Sequence, residues 1–352
     1  MAPLRPMLAK ATDRLPDGDE MIFEPKWDGF RCLVFRDGDE VELGSRNDRP
    51  LTRYFPELLD PIRRDLPPRC VVDGEVVVVT DGGLDFDQLG QRIHPADSRV
   101  RRLAVETPAS FVAFDLVALD EDDLRDVPFI DRRRLLEQAL ATAQPPIHIC
   151  PTTRDRDIAS DWFRRFEGAG FDGVMAKPES GTYVSDKRVQ WKVKHKRTAD
   201  VVVAGYRRHK DGNGVGSLLV GVHDADGRLH NIGVVAAFTA AKRTELVAEL
   251  APYEANALDH HPWREWADAM SQAEGSTRMP GAPSRWNNKK DLSWSPVRCE
   301  LVVEVAYEGL QGMRLRHPAR FVRWRPDKSP AECRYDQLEH PPPIELQEIF
   351  GP

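Results

Sequence analysis

Short apolar or alternating runs, each bounded by charged or glycine-bearing turns, recur along the 352-residue chain and limit its fold more than any other feature. In the first half they are "MIF" (Met21–Phe23), "RCLVF" (Arg31–Phe35), "VEL" (Val41–Leu43), "CVVDGEVVVV" (Cys70–Val79), "SFVAFDLVAL" (Ser110–Leu119), "IHIC" (Ile147–Cys150), "DGVMAKP" (Asp172–Pro178) and "VQWKVK" (Val189–Lys194). Runs of this length and period read as strands. Between them "DRRRLLEQALATA" (Asp131–Ala143) and "SDWFRRFEGAG" (Ser160–Gly170) have helical spacing, and the second ends on Gly168 and Gly170 as a helix stop does. The expectation is an α+β domain of mainly antiparallel sheets with flanking helices.

Past Lys196 the texture changes to strands punctuated by turns: "DVVVAGYRR", "GSLLVGVHD" and "RLHNIGVVA", one helix "TAAKRTELVAEL", then "CELVVEVAYE" and "RFVRWR". About five strands with one helix suit a small closed β-barrel, and the OB fold is the natural candidate. The boundary is expected at Thr198–Asp200, giving domains over residues 1–199 and 200–352, each long enough to bury its own core. The stretch His260–Pro296, rich in Pro, Ser, Asn and Trp, has no clear period and reads as a long connection inside the second domain.

Apolar residues at 41% and charged residues at 30% are the balance of a globular protein rather than a disordered or fibrous one. No apolar run approaches bilayer-spanning length, and "MAPLRPMLAKATDR" lacks the continuous apolar core of a signal peptide, so a cytoplasmic protein without membrane contact is expected. The five cysteines are odd in number and never form CxxC, which points to reduced thiols. A net charge of -7 argues against coating nucleic acid by bulk charge, yet the basic residues are bunched in "KVKHKR" (Lys192–Arg197), "RRHK" (Arg207–Lys210) and "MRLRHPARFVRWRPDK" (Met313–Lys328). Taken singly such runs fit a solvated face; acidic partners such as ATP or a nucleic-acid backbone are the alternative.

The stretch "EPKWDGFR" (Glu24–Arg31) holds a lysine between a proline and a tryptophan. Lysine is a poor nucleophile while protonated, so chemistry at Lys26 requires burial or a neighbouring cation such as a metal. Arg31 presents a fork suited to phosphate or ribose oxygens. A structural turn with a surface lysine is the plainer reading of the stretch taken alone.

"KWDGFR" resembles the first signature of the covalent nucleotidyltransferases, the superfamily of ATP-dependent DNA ligases, RNA ligases and mRNA capping enzymes. The other signatures follow in order: "SRN" (Ser45–Asn47), "VDGEVV" (Val72–Val77), "FVAFDL" (Phe111–Leu116), "DGVMAK" (Asp172–Lys177), "WKVK" (Trp191–Lys194) and "RPDK" (Arg325–Lys328). "RPMLAK", "CELVVEVAYEGL" and "RLRHP" narrow the match to stand-alone bacterial ATP-dependent DNA ligases, similar to DNA ligase C and to the ligase domain of ligase D. The length leaves no room for the extra N-terminal DNA-binding domain of replicative eukaryotic ligases or for the polymerase and nuclease domains of ligase D.

The resemblance implies that Lys26 attacks the α-phosphorus of ATP and holds AMP, which passes to the 5'-phosphate of nicked duplex DNA before the 3'-hydroxyl displaces it. It implies that Glu24 accepts from the adenine amino group, Phe114 stacks on the base, Arg31 and Glu75 hold the ribose, Arg46 holds the phosphate at the nick, and Lys192 and Lys194 grip the α-phosphate. Glu75 and Asp172 are the candidates for Mg²⁺, with Mn²⁺ as a substitute, since such ions take one or two carboxylates plus waters and phosphates. Asp172 departs from the family, where glutamate is usual. Arg325, Asp327 and Lys328 would orient the leaving pyrophosphate from the OB domain, with Thr198–Asp200 as the hinge. Asp28 and Asp73 are expected to orient neighbours. Repair duty and a monomer are implied. The rival readings are an RNA ligase or GTP-using capping enzyme on the same scaffold, and a catalytically inactive OB-fold module that binds nicks.

Overall fold

The computed structural model describes residues 4–18, 20–47, 49–80, 83–268 and 293–338. The chain divides into two compact units, the first running to Lys194 and the second starting at His195.

The first unit contains β1 (Leu8–Thr12), β2 (Met21–Pro25), β3 (Phe30–Asp37), β4 (Glu40–Ser45), α1 (Leu59–Asp65), β5 (Arg69–Thr80), α2 (Phe86–Gln91), α3 (Asp97–Glu106), β6 (Ala109–Leu119), α4 (Phe129–Ala139), β7 (Ile147–Ile149), α5 (Arg156–Arg165), β8 (Val174–Pro178) and β9 (Arg188–Val193). One sheet has the order β1-β9-β8-β2; the other runs β4-β3-β5-β6, with β7 beside β6. Pairing is antiparallel except at β1·β9 and β6·β7. Each expected strand and both expected helices form, and Gly170 takes φ 89° where the 3₁₀ turn that follows the second helix ends.

Alternation then divides the side chains. In the first sheet Phe23, Val174, Ala176 and Val193 pack against Ala159 and Trp162 of α5. The pairs Met175↔Glu24 and Met175↔Lys192 put Glu24, Met175 and Lys192 on the opposite face, with Lys177 two residues further along it. In the second sheet Cys32, Val34, Val72 and Val76 join the large core with Phe55, Ile62 and Leu136, while Arg31, Asp73 and Glu75 alternate to the other face.

The second unit contains β10 (Arg197–Arg208), β11 (Val215–His223), β12 (Leu229–Ala236), α6 (Ala240–Leu250), α7 (Arg264–Asp268), β13 (Ser295–Tyr307) and β14 (Ala319–Trp324). Its strands close into a barrel of order β10-β11-β12-β14-β13, the architecture of an OB fold. Alternate residues Val201, Val203, Val220, Val222, Val303 and Val305 fill the interior. Thr239 caps α6 by accepting from the Lys242 backbone N–H, and Leu246 and Leu250 of that helix join the same core.

The expected hinge Thr198–Asp200 lies inside β10, where all three residues pair with β13. The chain leaves the first unit a few residues earlier because β10 pairs with β13 back to Arg197, which lies opposite Tyr307. Of the connection expected over residues 260–296, residues 269–292 lie outside the described set. The part before them packs on the barrel: Trp263 is 2% exposed and its indole N–H donates to the Leu229 carbonyl at 2.8 Å.

Candidate active site

Lys26 stands one residue beyond β2. Its backbone N–H donates to the Gly173 carbonyl at 2.8 Å and its own carbonyl accepts from Asp172 N–H at 2.9 Å, so the β2·β8 pairing continues past the strands. This ties the lysine to the Asp172–Gly173 turn. Trp27 anchors the next position, its ring 4.7 Å from Phe171 and its indole N–H 3.1 Å from the Cys150 sulfur. Gly29 has to be glycine because a Cβ there would collide with the Val76 carbonyl and with Glu75. That close approach lets the Gly29 N–H donate to the Glu75 carboxylate.

Asp172 receives two ammonium groups, Lys26 Nζ at 2.6 Å and Lys194 Nζ at 2.9 Å, all three side chains being largely buried. Burial raises an acid's pKa, but here the two lysines outweigh it and hold the Asp172 carboxyl below the usual range. Glu75 lies in the opposite regime. Burial pushes its carboxyl up to about 7, against the pull of Lys26 and Arg31. Two carboxylates beside one lysine therefore have different characters, the first already neutralised and the second short of positive charge.

Arg31 is held by the fully buried Asp73 through two bonds of 2.6 Å, and the Tyr183 hydroxyl donates to the same carboxylate at 2.6 Å. Asp73 thus orients Arg31. The guanidinium in turn sits 4.4 Å from the centroid of Phe114. Phe114 owes its position to a β-bulge: Ala113 pairs with Gly74 and Asp115 with Asp73, which leaves Phe114 as the extra residue of β6. On the neighbouring sheet Glu24, 2% exposed, pairs at 2.7 Å with Lys177, itself 4% exposed, and Lys177 Nζ lies 4.8 Å from the same Phe114 ring. The Glu24 Oε1 atom is buried without a hydrogen-bond partner.

The structure therefore brings together Glu24, Lys26, Asp172 and Lys194 from the first sheet and the turns beside it, with Lys192 on the Glu24 face of β9, and Arg31, Glu75 and Phe114 from the second sheet. Phe114, expected to stack on a base, carries Arg31 and Lys177 against its ring. Arg46 is exposed in the turn after β4. Arg325, Asp327 and Lys328 belong to the second unit and gather on Asp200: Arg325 Nη1 lies 2.9 Å from both Asp200 oxygens, Lys328 Nζ lies 2.9 Å from one, and Arg325 Nε donates to Asp327 at 2.9 Å. Among the described residues no three His, Cys, Asp or Glu side chains are grouped as a metal site, and no helix is long and apolar enough to cross a membrane. A cavity of about 300 Å³ lies against Lys177, Phe129, Arg132 and Gln190 rather than against Lys26.

Residues 6–196 match the family described as ATP dependent DNA ligase domain, and residues 211–328 match the ATP dependent DNA ligase C terminal region. DNA ligase C of Mycobacterium tuberculosis is 53% identical over 99% of this chain and 97% of its own length. The chain belongs to the ATP-dependent DNA ligase family. A further relative, DNA ligase C2 of Mycolicibacterium smegmatis, is 54% identical over 97% of this chain and 96% of its own length. A solved Lig E DNA ligase shares the fold at a TM-score of 0.55 and 18% identity, covering 91% of this chain and 99% of that one.

Three residues of this ATP-dependent DNA ligase drew no site assignment from the sequence: Tyr183, Lys177 and Asp200. Lys177 left a usable signal, a lysine inside the apolar run "VMAKP", where alternation places it on the face of Glu24. Asp200 opens the apolar run "DVVVAG", and its partners lie 125 and 128 residues away, so no local pattern reveals them.

Proposed function

We propose that the protein seals 5'-phosphate/3'-hydroxyl nicks in duplex DNA at the expense of ATP, through an AMP carried on Lys26. The observation that carries this reading is the setting of Lys26 Nζ, 2.6 Å from Asp172 and beside Glu75, two residues along the chain from the buried Glu24, whose Oε1 has no hydrogen-bond partner. The Lys26 ammonium first gives a proton to solvent; its nitrogen then forms a bond to the α-phosphorus as the bond to the bridging β-phosphate oxygen breaks, pyrophosphate leaves, and a second N–H proton is lost to solvent. A 5'-phosphate oxygen of the nick then takes the adenylyl group, freeing Lys26, and the 3'-hydroxyl attacks that 5'-phosphorus and expels AMP. All three are displacements at phosphorus, so placement and charge neutralisation supply most of the rate.

Asp172, held below the usual carboxylate range, is a poor proton acceptor and serves to orient Lys26 and Lys194. Lys192 and Lys194 neutralise the α-phosphate, Arg31 and Glu75 hold the ribose, and Phe114 supplies the base contact, with Arg31 shifting off its ring. Arg46 takes the nick phosphate. Arg325, Asp327 and Lys328 orient the pyrophosphate.

The residues fit a divalent cation. Glu75, buried enough to be pushed up to about 7, gains most from one, and Mg²⁺ typically needs one or two carboxylates besides phosphate and water. Glu75 would hold Mg²⁺ directly and Asp172, committed to two lysines, through water; Mn²⁺ has the same ligand preferences. Such an ion would neutralise charge on the phosphates. A bacterial, cytoplasmic, monomeric enzyme of DNA repair is the setting this reading entails.

The experiment is incubation of pyrophosphate-stripped protein with α-labelled ATP and Mg²⁺, followed by denaturation and a chase with nicked duplexes of DNA or RNA. Label on the parent, none on Lys26→Ala, and discharge into sealed DNA is expected. Protein that stays unlabelled after stripping, or that discharges only into RNA, would overturn the reading.

A further inference from the structure

Lys177 is the least explained charge in the first unit. It projects from the next-to-last position of β8 with a side chain 4% exposed, and a lysine is rarely buried so deeply without a partner and a purpose. Its Nζ touches Glu24 Oε2 at 2.7 Å, donates to the Phe114 carbonyl at 3.4 Å, and lies 4.8 Å and 4.5 Å from the rings of Phe114 and Phe129. The register explains the pairing: Ile22 sits opposite Lys177 and Glu24 opposite Met175, so the two charges are diagonal neighbours on one face. Lys177 thus occupies one oxygen of Glu24. The other, Oε1, is buried with nothing to accept from. A buried acceptor left unpaired costs free energy, and a pocket that keeps one is built to meet a donor.

We propose that Lys177 is a positioning residue for base selection: its ammonium occupies Oε2 of the buried Glu24 and so fixes the carboxyl group, leaving Oε1 as a set acceptor for a purine with an amino group at C6. This rests on the reading of the Lys26 pocket as the ATP site. A purine with a carbonyl at C6 would set oxygen against a carboxylate and is rejected. Without Lys177, Oε2 would lose its partner inside the protein and nothing would hold the orientation of the carboxyl group. A carboxyl group free to turn no longer presents Oε1 to the base edge, so the pocket would lose its preference instead of merely its affinity.

The test measures transfer of labelled nucleotide to the protein from ATP, ITP and purine riboside 5'-triphosphate, the last lacking any C6 substituent. The wild-type enzyme should prefer ATP to both, with the amino deletion acting mainly on KM. Lys177→Met should lower the ATP:ITP ratio of kcat/KM by about tenfold or more, and Lys177→Arg, which keeps the positive charge, should restore much of it. A purely structural lysine would lower both rates alike and leave the ratio unmoved. If Lys177→Met loses its cooperative melt, Lys177→Gln carries the same comparison. Equal use of ATP and purine riboside triphosphate by the wild-type enzyme would remove the Oε1 acceptor and with it the reading of Glu24. A wild-type preference for the amine combined with an unchanged ATP:ITP ratio in the folded variant would overturn the role of Lys177 alone.

Discussion

Glu75 and Asp172 show how one residue type acquires two characters from its neighbours. Both flank Lys26, yet Asp172 is held low by two lysines while burial lifts Glu75 to about 7. An acid whose folded value lies above its ordinary 4.5 favours folding while protonated; that contribution is complete below about 4.5 and is lost as pH rises through about 7. Glu75→Gln should therefore raise the melting midpoint of the first unit at pH 8 in the presence of a chelator by a few degrees, at about 2–4 °C per kcal/mol for a domain of that size. The advantage should close by pH 5, and labelling of Lys26 should be lost at either pH. Scanning calorimetry at the two pH values decides it; a variant no more stable at pH 8 than its parent would mean that the carboxyl bears no burial cost. Most site residues were legible one by one, because Glu24, Lys26, Arg31, Glu75 and Asp172 each sit in a short ordered motif. Tyr183 and Asp200 were not, since what gives each its role is a partner 110 and 125 residues away, and Lys177, although it ends one of those motifs, owes its role to Glu24, 153 residues away.

At the level of elements, the strands could be read from the sequence because alternation is a property of the strand itself. The missed elements have weak local pattern. β1 is a five-residue stretch with no buried position, defined by parallel pairing with a strand near residue 190, and α3 buries only Val100 and Leu103. The bulge that frees Phe114 also escaped, since it arises from register between β5 and β6 rather than from either run alone. The turn joining α5 to β8 offers a sharper test. Gly173 has φ 118° and its absent Cβ would collide with the Val193 carbonyl, in the turn that brings Asp172 to Lys26 and Lys194. Gly173→Ala should cost at least about 2 kcal/mol in urea denaturation, combining left-handed strain with overpacking. It should also slow labelling of Lys26 at saturating ATP. An alanine variant as stable and as fast as its parent would show that the turn does not depend on glycine.

Over the whole molecule, formal charge and local charge point in opposite directions. The chain carries a net -7, which by itself opposes binding to a polyanion, whereas the second unit concentrates exposed arginine and lysine at the end of β10 and along β14. Arg208 and Lys210 are exposed just where β10 gives way to its turn, and Arg320 is exposed on β14. Attraction to DNA must then come from a patch, and a patch acts by displacing the counterions condensed on the phosphates it covers. Each contact so made adds about 0.9 to the slope of log affinity against log salt on duplex DNA. Affinity for a nicked duplex should accordingly fall steeply between low and physiological salt and should be indifferent to the sequence flanking the nick. Replacing Arg208 and Lys210 together by alanine should reduce the slope by about 2 and weaken binding equally on every duplex tested. Titration of a labelled nicked duplex at several salt concentrations measures this directly. A slope unchanged by the double substitution would take these side chains off the DNA and leave the Arg320 region of β14 as the place where the acidic chain meets its acidic substrate.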